Sequence, residues 1–137
     1  MDRIFRVLLA GIAAGFILFL ASSIVYNITG EISDPSLKQI FRKTVSMAWF
    51  YKLLLINVGT GLIMALFYAL LGRGLSGGAV VKGLVWGFVV WAVMVHQHLI
   101  FRLVTGYFTT ELFLSWALQG LVSYMAAGIA VTLITRD

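Results

Sequence analysis

The chain has no cysteine, one proline and only five acidic residues among 137. Without cysteine there is no disulfide, no thiolate metal site and no thiol nucleophile. Charge of either sign is scarce, 11% of residues against about 25% in an average soluble domain. A soluble fold of this size could not cover its surface with so few charges. The carboxylates are also missing from every long apolar run. That argues against paired-acid catalysis and against the usual proton-coupled carboxylate carrier.

What is present is apolar: 61% of the residues are hydrophobic. Between Arg6 and Glu31, Lys52 and Arg73, Lys82 and Arg102, and Glu111 and Arg136 no residue carries a formal charge. Each gap is at least 19 residues long. At the helical rise this spans roughly 28 Å or more, the thickness of a bilayer's hydrocarbon core. The expected fold is an all-α integral membrane protein, a four-transmembrane-helix bundle forming one domain over residues 1–137. Its helices are expected near Ile4–Asn27, Met47–Leu71, Ala79–Arg102 and Glu111–Thr135. The first run, about 20 residues from Val7, exceeds a signal peptide's apolar core and reads as a retained helix. The net charge of +5 fits cations at helix ends against lipid headgroups better than nucleic acid.

The longest connection, "SDPSLKQIFRKTV", opens with Asp34 as a cap and Pro35 at a first helical position. Leu37, Ile40, Phe41, Val45 and Ala48 share one face, with Lys38, Gln39, Arg42 and Lys43 on the other. A short amphipathic helix over about 35–46, lying in the membrane interface, is expected there; the alternative is an extension of the second span. Thr110 ahead of Glu111 suits a cap with an acid in the first turn. "GIAAGFILFLA" and "GLVWGFVVWAV" echo one another, suggesting a parallel repeat of a two-helix unit, although the second and fourth runs do not align visibly.

Side A denotes the side of both chain ends and the "GRGLSGG" turn; side B is the opposite one. Arg3, Arg6, Arg73, Lys82 and Arg136 belong to side A, and Lys38, Arg42, Lys43, Lys52 and Arg102 to side B. With five cations on each side, the positive-inside rule favours neither orientation; antiparallel pairing of copies is the sharper reading of the balance. Tyr26, Trp49, Tyr51, Phe101, Tyr107 and Trp116 lean to side B and read as an interfacial belt. With the long loop and both histidines also there, a site is expected to open on side B.

Small residues mark packing faces: Gly11 and Gly15, Gly83 and Gly87, and Gly120 let backbones approach where lipid gives no hydrophobic drive. Glu111, Ser115, Gln119 and Ser123 recur every fourth residue, one face of the last helix. Asn57, Thr60 and Ser23 lie at similar depth. The stripe either bonds between helices or lines a polar cavity open to side B for a small neutral or anionic solute.

His96 and His98, two apart on a helix, point about 200° from each other and cannot share a metal. His98 falls on the glycine face, with Arg102 one turn beyond and Glu111 near enough across the loop to neutralise it. No metal site is expected and no cofactor. Haem, the alternative, would need a second copy's His98 or a methionine. The expected role is therefore non-enzymatic, a structural or accessory subunit working by helix packing; the alternative is an oligomeric channel or transporter using Asn57, Thr60, His98, Arg102, Glu111, Ser115, Gln119 and Ser123. Expected partners are the bilayer and either copies of the chain or another membrane protein, not nucleic acid. The general character is that of small prokaryotic cytoplasmic-membrane proteins.

Overall fold

A computed structural model describes residues 2–29, 47–106 and 110–136. Four helices carry the fold: α1 (Arg3–Thr29), α2 (Met47–Leu71), α3 (Ala79–Thr105) and α4 (Thr110–Thr135). All four are long and apolar enough to cross a membrane, which marks a multi-pass membrane protein. No strand occurs among the described residues. The segment read as an amphipathic interfacial helix, about 35–46, lies outside them.

The helices are apolar nearly all round, as expected of segments that meet either lipid or one another on every side. Their ends carry the specific signals. A short 3-10 turn, Gly72–Gly74, closes α2, and Gly77 adopts φ 103° just before α3 begins. At the other end of α3, Gly106 takes φ 67° and returns its N–H to Arg102 O at 2.8 Å. Both angles favour a residue without Cβ, and the second is the usual glycine stop of a helix. α4 starts one residue before the expected Glu111, a difference within ordinary boundary scatter.

In space the helices run in the order α2–α1–α4–α3, with α1 and α4 forming the central pair. The core is built from small residues at the centre, Ala10 and Ala14 of α1 and Ala127 of α4. Leu18, Met64, Val131 and Trp86 surround them. Small side chains bring backbones close, and dispersion and backbone proximity then hold helices that the hydrophobic effect cannot drive together in lipid.

Each hairpin repeats one packing device. A Cβ added at Gly11 would lie 2.7 Å from Leu62 Cα, and one at Gly15 would meet Val58 Cα. Gly61 in turn abuts the Gly11 and Gly15 backbones. In the second hairpin a Cβ at Gly83 would lie 2.5 Å from Ile129 Cα and one at Gly87 2.6 Å from Met125 Cα, with Gly128 taking the place of Gly61. Gly61 and Gly128 therefore answer each other. This correspondence between α2 and α4 is hidden in the sequence because a single glycine carries it.

The two hairpins differ at one step. Ala14 precedes Gly15, whereas Trp86 precedes Gly87. Ala14 is fully buried and α4 closes against α1. Trp86 instead reaches α2, donating Nε1–H to Met64 O at 3.2 Å and meeting the Tyr68 ring edge-on at 5.8 Å. The indole holds α2 and α3 apart where alanine lets α1 and α4 meet.

Candidate functional site

The polar stripe of α4 faces α1. Gln119 donates Nε2–H to Ser22 O at 3.1 Å, and the Ser22 and Ser123 hydroxyls lie 3.2 Å apart. Ser123 also donates to Gln119 O at 2.8 Å, so its single proton is used there and Ser22 supplies the hydrogen between the hydroxyls. Ser123 is only 1% exposed. Glu111 and Ser115 continue the stripe outward, Glu111 exposed and Ser115 half-buried.

The α2 residues do not join this set. Asn57 donates to Leu53 O at 2.8 Å and Thr60 to Ile56 O at 3.0 Å, both one turn back along their own helix. In α1 the participating residue is Ser22, while Ser23 turns back to Phe19 O at 2.8 Å. A shift of one residue rotates a helical side chain by about 100°. An evenly apolar helix holds no signal to choose between neighbours.

At side B, His98 turns towards α4, where its ring meets Trp116 edge-on at 6.1 Å. Its Nδ1 lies 2.7 Å from Met94 O. A carbonyl only accepts, so Nδ1 is the donor in this contact. His96 is exposed, as is His98. Arg102 donates to Thr110 Oγ1 at 2.6 Å, and its guanidinium sits 5.7 Å from the Phe113 ring centre. Gln97, His98, Phe101 and Trp116 line a shallow open groove. Among the described residues no three His, Asp or Glu side chains come together as a metal would require.

Of the glycines, Gly11 and Gly15 lie against α2, Gly83 and Gly87 against α4, and Gly120 beside the Trp91 ring. Three interhelical bonds come from residues without a spacing signal in the sequence. Trp86 bonds Met64 O, Trp91 donates to Ala117 O at 2.7 Å, and Thr132 donates to Ala79 O at 2.7 Å. An indole N–H buried in an apolar setting seeks an acceptor, which is the signal that could have singled out the tryptophans.

Among the described residues, a cavity of about 490 Å³ opens on side A. Arg3, Arg6, Arg73, Lys82 and Arg136 line it, together with Tyr68, Thr132 and Thr135. Arg3 donates to Ala69 O and Arg6 to Arg136 O, each at 3.2 Å, placing cations at the carbonyl ends of α2 and α4. The side-A cations come from well-separated parts of the chain, and only folding brings them around one space.

No known protein family, curated protein or solved structure matches the chain. Its own geometry is what bears on its function.

Proposed function

We propose that the chain is a non-enzymatic subunit of a prokaryotic cytoplasmic membrane, acting through helix packing on a second copy or another membrane protein. The observation that carries this reading is a contrast on α2. Gly61 is buried against α1, whereas nothing lies within 4 Å of a Cβ added at Gly59. Around Gly59, Leu55, Ile56, Ile63 and Leu66 are exposed. A small residue at mid-span on an open apolar face lets another helix approach closely, the same device that joins the helices of each hairpin. The intramembrane bonds of Gln119, Ser123, Trp86, Trp91 and Thr132 give further support, because those side chains serve contacts between helices.

The test is gentle extraction from the native membrane followed by native mass spectrometry. A stoichiometric partner or homo-oligomer is expected, and Gly59→Leu should disrupt it while leaving the helical spectrum unchanged. Repeated recovery of a lone chain would count against the reading.

One observation favours the second reading, transport of a small neutral or anionic solute: the side-A cavity and its basic lining. Phosphate or chloride flux into liposomes, lost in Arg73→Gln, is its expected result. Flux no greater than that of empty vesicles would end it.

A further inference from the structure

We propose that the side-A cavity is a binding site for a phosphate-bearing anion, either a phospholipid headgroup or free phosphate. The proposal goes beyond the subunit reading and holds whether or not the chain transports anything. Three features of the cavity carry it.

The first is charge. Five cations from separate parts of the chain line one space of about 490 Å³, and no described carboxylate lines it with them. Like charges gathered beside a low-dielectric bundle raise the local positive potential, which favours an anion among them.

The second is how the cations are used. Arg3 and Arg6 direct hydrogen bonds at the carbonyl ends of α2 and α4, which accounts for those two. Arg73 in the turn after α2 and Lys82 in the first turns of α3 are not needed for that purpose. Arg73 lies within the short connection and Lys82 just after it, and both line the same cavity. Arg136, just beyond α4, adds a third such cation.

The third is fit. Guanidinium groups present paired N–H donors that match two phosphate oxygens at once, and a lysine ammonium adds a compact charge. The Tyr68 phenol lines the same wall and can donate to a third oxygen. The volume falls within the range of sites for small molecules and accommodates a phosphate with part of a headgroup. The cavity also lies at the ends of the candidate spans, where a bilayer would place its phosphates, and basic pockets between membrane helices are suited to such groups.

The experiment uses the full chain in two settings. Nanodiscs of phosphatidylcholine with phosphatidylglycerol are examined by native mass spectrometry for retained lipid, and protein in neutral detergent is titrated calorimetrically with inorganic phosphate. Retention of phosphatidylglycerol over phosphatidylcholine, without phosphate binding, identifies a headgroup site. Saturable phosphate binding without lipid preference identifies a free-anion site. In either case Arg73→Gln and Lys82→Gln should each weaken binding about three- to tenfold, while Lys52→Gln, at the other end of the bundle, changes it less than twofold. If wild type shows neither form of binding, or if Lys52→Gln weakens it as much as the cavity variants, the proposal is overturned. A readout on the unmodified chain covers the case of a misfolded variant: lysine acetylation followed by mass spectrometry. The bound anion should protect Lys82 several-fold more than Lys52, and equal protection would again overturn the site.

Discussion

Gly59 and Gly61 stand two residues apart on α2, yet adding a methyl group should affect them differently. At Gly61 the new Cβ would press on the α1 backbone at Gly11 and Gly15, which cannot yield as a side chain can. Gly61→Ala should cost about 1–3 kcal/mol, the range for overpacking. Gly59→Ala, with open space around it in the single chain, should stay within about 0.5 kcal/mol of wild type when the chain is monomeric. Thermal unfolding followed by circular dichroism in detergent measures both, and equal effects would refute the close approach of α1 and α2. The polar stripe permits a finer test. Ser22→Ala, Ser123→Ala and the double variant form a cycle whose coupling should be about 0.6 kcal/mol, the usual size of an interhelical bond in a membrane. At this scale the sequence was partly legible. Gln119 and Ser123 stood out by their spacing of four, but their partner Ser22 did not, because the facing rotation of α1 depends on what packs around it.

At the scale of elements, the bundle depends on which helices meet closely. α1 and α4 meet along small residues, and the Ser22 and Ser123 hydroxyls are 3.2 Å apart across that seam. Because the native chain has no cysteine, engineered pairs report contacts without background. Ser22→Cys with Ser123→Cys should cross-link under mild oxidation. Ser22→Cys with Ser115→Cys should not, since Ser115 lies about 12 Å further along α4. The opposite seam, between α2 and α3, rests on the Trp86 indole, its bond to Met64 O and its contact with Tyr68. Trp86→Ala should cost about 3–5 kcal/mol through the cavity it leaves and the lost bond. A loss under about 1 kcal/mol in an unfolding titration would show that the indole is not a spacer. The helices themselves were legible from the charge-free gaps, because the bilayer imposes a length that few other structures require. The spatial order α2–α1–α4–α3 was not, since four evenly apolar helices give no pattern that ranks one neighbour over another.

For the whole molecule, the chain's route and its packing are separate matters. The covalent link between the hairpins joins α2 to α3, while the broad contact between hairpins lies between α1 and α4. The two halves should therefore associate without the link. Co-expressed fragments divided between Ser76 and Gly77 are expected to copurify in equal amounts through a tag on either one. Placing Ala14→Phe in the first fragment should reduce that recovery severalfold, because a large ring there would force the central pair apart. Copurification unaffected by Ala14→Phe would mean the halves meet elsewhere.

Composition and spacing along the chain were enough to show four helical segments long enough to cross a bilayer, and to place both ends with the 72–78 turn at one end of the bundle. Length, hydropathy and the parity of crossings suffice for these, because each is a property of a segment or of segments in order. Tertiary structure alone decided that Gly61 and Gly128 play equivalent parts, that Ser22 rather than Ser23 receives Gln119, and that the side-A cations surround one cavity. Each of these depends on how one helix is rotated and placed against another. In a membrane that choice rests on contacts of a few atoms, and hydropathy averaged along a helix carries no record of them.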